Sequence, residues 1–246
     1  MFDKKTFEKY VRCSQLNLKR LLFGELKRNG YEPLNRKGFL YAEGIFPVLL
    51  CAHLDTVHTC LPDTIIYKND YVESPEGIGG DDRCGIYIIM QLIKYYHCSV
   101  LFLEDEEIGG IGASEFIKQR LCKSARNNKY ILEFDRRGGR DAVFYDCDNR
   151  NFEKFITQSG YFHTKYGSFS DISVLAPYLG LAAANLSAGY YSEHIDCEYV
   201  NMREVDFIIN EAKVILANTN EKFVYVKKKY KKLSKYYSYG GEWDEY

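Results

Sequence analysis

Three short apolar runs constrain the fold of this chain more than any other feature. They are residues 47–52 (PVLLCA), 99–103 (SVLFL) and 129–134 (KYILEF). A strand exposed on one face alternates polar and apolar residues; the first run shows no alternation, which marks a central strand covered on both faces. It lies within 38–57, a stretch of strand-like composition. The segments between the runs have helical spacing. Residues 3–29 align Phe7, Tyr10, Val11, Leu18, Leu21, Leu22 and Leu26, with Asp3 placed to cap the start and Gly30 to end the helix. Residues 85–96 predict a strongly apolar helix, 112–120 a further helix and 204–218 an amphipathic one. Residues 179–186 (LGLAAANL) predict a fourth strand, and 64–73 a hairpin turning at Lys68-Asn69-Asp70. Strands alternating with helices predict an α/β sheet covered on both faces.

Composition narrows the function classes. The 33 basic and 34 acidic residues sum to −1, which argues against a protein that coats nucleic acid or an anionic membrane. No apolar run reaches the ~18 residues of a membrane span. The N-terminal stretch lacks the apolar segment of a secretory signal, so the expected compartment is the cytoplasm. The eight cysteines are spread singly with no C-x-x-C pair and read as reduced thiols. No linker divides the 246 residues, so one domain is expected over 1–226. Residues 227–246 form a Lys/Tyr-rich tail with six lysines in its first nine positions, expected to be a solvated tail.

Each predicted strand stops at metal-type ligands. The first ends at His53-Leu54-Asp55, the second at Glu104-Asp105-Glu106-Glu107, the third at Asp135, and the fourth leads to Glu193-His194. Asp81-Asp82 lies in a glycine-rich turn before the apolar helix. Taken alone, each group has an ordinary explanation: a structural histidine, a solvated acidic loop, a helix cap. Together they deliver histidines and carboxylates to the carboxyl edge of one sheet, where open α/β folds build their sites. That many like charges repel unless cations neutralise them.

The segments HLDTV (53–57), GIGGDDRCG (77–85), EDEEIGGIGA (104–113), EFDRRG (133–138), SFSDISVL (168–175) and SEHIDCEYV (192–200), in this order, resemble the co-catalytic di-zinc exopeptidases. That superfamily holds peptidase T, carboxypeptidase G and acetylornithine deacetylase, with leucyl aminopeptidase-like relatives. The resemblance implies a zinc-exopeptidase-like (phosphorylase/hydrolase-like) fold, three-layer α/β/α with a central mixed, mostly parallel sheet. It implies two zinc ions, with cobalt or manganese as substitutes. His53, Asp81 and Asp135 would hold one ion; Asp81, Glu107 and His194 would hold the other, so that Asp81 bridges. Asp55 would orient His53, and Glu106 would be the general base for a metal-bridging hydroxide. Three carboxylates and one hydroxide would balance the four positive charges. A cis peptide is implied between Asp81 and Asp82, and a structural role for Glu198.

The chain also departs from that pattern. Only 35 residues separate Asp135 from Asp171, too few for the inserted lid or dimerisation domain of peptidase T and its relatives. Any oxyanion-stabilising group from a lid is therefore unassigned, and Tyr190, Tyr191, Arg136 and His163 are local candidates. Tyr191, Asp171 and Arg136 are expected to face substrate. His58 and His97 read as ordinary surface or core histidines. The expected activity is cleavage of the amide bond of a small peptide or amino-acid conjugate, an aminopeptidase fitting an open site best. The alternatives are an N-acyl amino-acid deacylase with the same metals and a non-catalytic binding protein that kept the fold. The sequence leaves the oligomeric state open.

Overall fold

The computed structural model describes residues 1–120 and 122–229. The tail proposed for 227–246 lies outside the described residues from position 230 onward. In chain order the elements are α1 (Lys4–Val11), α2 (Gln15–Arg28), β1 (Leu34–Arg36), β2 (Phe39–Ala42), β3 (Phe46–His53), β4 (Ile66–Lys68), β5 (Tyr71–Glu73) and α3 (Gly80–Leu92). Then follow β6 (Cys98–Leu103), α4 (Ile111–Ile117), α5 (Cys122–Ala125), β7 (Ile131–Arg136), β8 (Asp141–Val143), α6 (Arg150–Ser159) and β9 (His163–Lys165). The chain continues through α7 (Asp171–Leu179), β10 (Ala183–Ser187), β11 (Tyr190–Tyr191), β12 (Tyr199–Asn201) and α8 (Met202–Ala217).

Eight strands form the main sheet in the order β1-β2-β6-β3-β7-β10-β8-β9. Its centre, β6-β3-β7-β10, is parallel, while β2 and β8 join antiparallel on either side. Successive side chains leave opposite faces of a strand, and both faces are apolar here. Val48, Leu50 and Ala52 of β3, with Val100 and Phe102 of β6, pack beneath α1, α2, α3, α6 and α8. Leu49 and Cys51 of β3, with Leu101 and Leu103 of β6, pack against α4, α5 and α7. That double burial is why the central runs lack alternation, and the expected three-layer α/β/α architecture with a mixed, mostly parallel sheet is what the chain adopts. No helix among the described residues is long and apolar enough to cross a membrane. All eight cysteines are free thiols.

Several element boundaries differ from the sequence reading. The helix expected over 3–29 is two helices, because Ser14 is extended and its side chain accepts from the Asn17 N–H to begin α2. The strand-like stretch 38–57 holds two strands, β2 and β3, and the expected 179–186 strand starts only at Ala183. Leu179 instead ends α7, where Gly180 turns into the left-handed region (φ 72°). The 64–73 hairpin forms as β4 and β5, and a separate four-stranded antiparallel sheet, β11-β12-β5-β4, carries it. That small sheet, together with α6 and α7, was not foreseen. The short stretch between Asp135 and Asp171 holds β8, α6 and β9, which extend the main sheet and its helical layer.

α3 seats directly against β7, and one glycine makes the approach possible. A Cβ at Gly85 would lie 2.0 Å from the Phe134 carbonyl oxygen and 2.4 Å from Asp82 Oδ1. This contact locks the start of α3 to β7, the strand that carries Asp135 near its end.

Candidate metal centre

The carboxyl ends of β3, β6 and β7 converge, and the turn into α3 and the β11–β12 loop complete the cluster. β3 delivers His53, whose ring is almost wholly buried. Its Nδ1 faces Asp55 Oδ1 at 3.1 Å, while Nε2 faces Asp81 Oδ1 at 2.9 Å and Asp135 Oδ1 at 3.4 Å. The other oxygen of Asp81 lies 3.3 Å from His194 Nε2, and that nitrogen is 3.1 Å from Glu107 Oε1. Asp81 therefore divides its two oxygens between two histidine–carboxylate sets. Three groups of potential ligand atoms lie within 4.8 Å of one another: His53/Asp81/Asp135, Asp81/Glu107/His194 and His53/Glu106/Glu107.

The loop after β6 explains its four consecutive acids. Glu104 accepts from the Gly38 N–H and pairs with Lys19, and Asp105 exchanges hydrogen bonds with the Gln15 side chain. These two fasten the loop to β2 and α2, leaving Glu106 and Glu107 at the cluster. Asp55 accepts from the backbone N–H of both Glu106 (3.1 Å) and Glu107 (3.0 Å). One carboxylate thus fixes the His53 ring and the Glu106-Glu107 backbone together. Asp135 is held from below: its N–H donates to Asn185 Oδ1, and the Tyr190 hydroxyl donates to its Oδ1 at 3.3 Å. The Asp81-Asp82 peptide is cis. Asp82 turns away to accept from the N–H groups of His53 and Gly85. Glu198 accepts from the N–H groups of Gly79 and Asp81, both at 2.9 Å.

Burial and mutual repulsion oppose the ionisation of the carboxylates gathered here. Burial, then the neighbouring carboxylates, push Glu106 and Glu107 up to about 7, and Asp135 up to about 6. Against burial, which favours the neutral ring, Asp135, Asp55 and Asp81 hold His53 well above the imidazole range. The hydrogen bond to Asp81 raises His194 to about 9, and the two histidines hold Asp81 low despite its burial. A neutral His53 that donates Nδ1–H to Asp55 would aim its Nε2 lone pair at two carboxylates, an opposition that a bound cation or an added proton removes. The imidazole and carboxylate donors suit zinc, and also cobalt or manganese.

The other expected site residues take different places around the cluster. The Tyr191 hydroxyl donates to Glu204 at 2.5 Å and its ring stacks on Tyr199; Tyr190 is the tyrosine whose hydroxyl reaches the cluster. The Arg136 guanidinium turns to Asp141, 4.0 Å away. His163 lies on β9, the edge strand. Asp171 is 1% exposed, so it underlies the site rather than lining its mouth, and burial raises its carboxyl strongly. Glu133, on β7, is likewise buried and accepts from the Ser170 hydroxyl. Sequence reasoning passed over Glu133 because it stands within an apolar run. The reading of His58 as an ordinary surface or core histidine misses its contact with Glu198, because a histidine without a fixed partner spacing carries no signal.

No protein-family profile matches the chain, and no curated protein matches its sequence. The fold has clear counterparts among solved structures. Aminopeptidase PepT from Bacillus cereus superposes with a TM-score of 0.71 at 13% identity, covering 86% of this chain and 96% of that one. A tripeptidase from Staphylococcus aureus gives 0.70 at 13% identity over 86% and 96%. An aminopeptidase from the archaeon Desulfurococcus kamchatkensis gives 0.65 at 12% identity over 88% and 94%.

Proposed function

From the premise that this chain has the fold of co-catalytic zinc exopeptidases, we propose that it is a metal-dependent hydrolase of amide bonds. Its substrates are short peptides, attacked from the amino end, and residues 1–226 act as one catalytic domain. The observation that carries this reading is Asp81, whose two oxygens face two separate histidine–carboxylate sets beside Glu106. His53, Asp81 and Asp135 would hold one zinc ion, and Asp81, Glu107 and His194 the second. Such ions, when bound, polarise a substrate carbonyl and lower the pKa of a water towards ~7.

The chain's own residues do the rest. Glu106 stands with His53 and Glu107 in one ligand group but is not needed to complete either set. It is free to take a proton from the attacking water and pass it to the nitrogen of the breaking amide, which leaves as the amine. Its proton affinity, raised to about 7 by burial first, suits a group that accepts and returns a proton near neutrality. Asp55 fixes the His53 ring and the Glu106-Glu107 backbone, so base and ligands keep one geometry. Tyr190 and Asn185 hold Asp135 in place.

The test is hydrolysis by the zinc-loaded full chain of a panel of aminoacyl-amides and dipeptides, set against N-acetyl amino acids, with and without a chelator. Cleavage of free-amine substrates that the chelator abolishes and zinc restores is the expected result. Cleavage of the acetylated compounds alone would make the chain a deacylase, and hydrolysis of neither class would remove the enzymatic reading.

A further inference from the structure

The turn that carries Asp81 is fastened by residues outside the ligand set. Glu198 is fully buried. Its Oε1 accepts from the Asp81 N–H, and its Oε2 accepts from the Gly79 N–H at 2.9 Å and from His58 Nε2 at 2.8 Å. The His58 ring packs closely against the start of the same turn, where a Cβ at Gly77 would fall 2.2 Å from its Cε1. Only glycine permits that approach. His58 thus touches the turn at Gly77 and, through Glu198, at Gly79 and Asp81.

We infer that His58 is a positioning residue for the metal centre, acting through Glu198 to set the tilt of the Asp81 carboxylate. This rests on the reading of Asp81 as the shared ligand. A buried carboxylate needs its full set of donors to stay ionised and fixed. With the His58 donor removed, Glu198 loses one of its three anchors and the Asp81 N–H loses a fixed acceptor. The Asp81 side chain hangs from that same peptide unit. Because its oxygens face His53 and His194 separately, a small tilt weakens both halves of the site at once. Loss of an outer partner of this kind typically weakens metal binding by about 10–100-fold.

Zinc affinity, measured by competition with a chromophoric chelator on the full chain, tests the inference in two variants. His58→Phe keeps a flat ring without the donor; His58→Gln keeps a donor without the ring. The expected result is zinc binding weakened at least ~10-fold in His58→Phe and near that of the parent in His58→Gln, with the Tm of metal-free His58→Phe unchanged. Parent-like affinity in His58→Phe overturns the inference. So does equal loss in both variants, since a retained donor would then fail to preserve the site, or a loss matched by a fall in the metal-free Tm, since His58 would then serve the fold as a whole. Should His58→Phe fail to fold, His58→Gln decides: affinity near the parent's supports the donor role, and a loss beyond ~10-fold removes it. If the parent itself takes up no zinc, the metal-site reading fails; if it binds and His58→Phe binds equally, only the role of His58 fails.

Discussion

Glu106 and Glu107 are adjacent, equally raised in proton affinity and assigned different work. Glu107 meets His194 and would complete the second proposed ligand set, whereas Glu106 belongs to neither proposed set. Replacing Glu106 by Gln should therefore leave zinc stoichiometry intact and lower kcat by about 10² or more. Steady-state kinetics beside elemental analysis of the same sample checks this, and unchanged turnover removes Glu106 from the mechanism. Asp55 holds the His53 ring and the backbone amides of Glu106 and Glu107. Asp55→Ala should weaken zinc binding by about 10–100-fold, measured by chelator competition. At this scale much of the site was legible. His53, Glu107 and Asp135 lie at or just beyond the ends of runs whose burial is written in their composition, whereas Asp81 and His194 come from the turn into α3 and the β11–β12 loop, which leave no such signature. The substrate-facing residues were less legible: nothing in the sequence separates Tyr190 from Tyr191, and only the strand direction sends one hydroxyl to Asp135 and the other to Glu204.

Elements were legible where burial dominates and obscure where local chemistry does. The two-sided burial of β3 and β6 leaves a direct signature, apolar residues without alternation. α7 leaves none that overrides Ser173 and the internal Pro177, and β11 and β12 of the small sheet, two and three residues long, are too brief to show a period. A single hydroxyl at Ser14 divides what apolar spacing alone reads as one helix. The glycine that closes the GIGGDDRCG segment has its reason in packing, since Gly85 lets α3 approach the Phe134 carbonyl. Gly85→Ala should destabilise the protein by at least ~1–3 kcal/mol through overpacking against rigid backbone. It should also impair zinc binding, because the same contact includes Asp82 beside Asp81. Denaturant unfolding of the metal-free variant reads the first effect, and wild-type stability would show that α3 is not held at this point.

The charge gathered at the sheet edge is a property of the whole molecule and links metal, protons and stability. In the metal-free state Glu106 and Glu107 titrate at about 7 and Asp135 at about 6, all above the ordinary carboxylate range. Their mutual repulsion and burial add a cost that grows as pH rises from about 4 to 7. His194, raised to about 9, stabilises the fold fully below about pH 6.5, and that contribution is lost as pH passes through its folded value. Both trends run the same way, so the metal-free protein should have a lower Tm at pH 8.5 than at pH 6. Zinc displaces these protons, so its addition should raise Tm more at pH 8.5 than at pH 6. Thermal scans at the two pH values with and without zinc check this, and an equal or reversed increment contradicts it.

Everything proposed for this chain depends on Asp81 serving two cations at once. Anomalous diffraction at the zinc edge, from crystals of the zinc-loaded full chain, addresses that directly. Two peaks about 3.5–4 Å apart, one against His53 and Asp135, the other against Glu107 and His194, with Asp81 between them, are the expected result. A single peak, or zinc bound away from Asp81, would contradict the account.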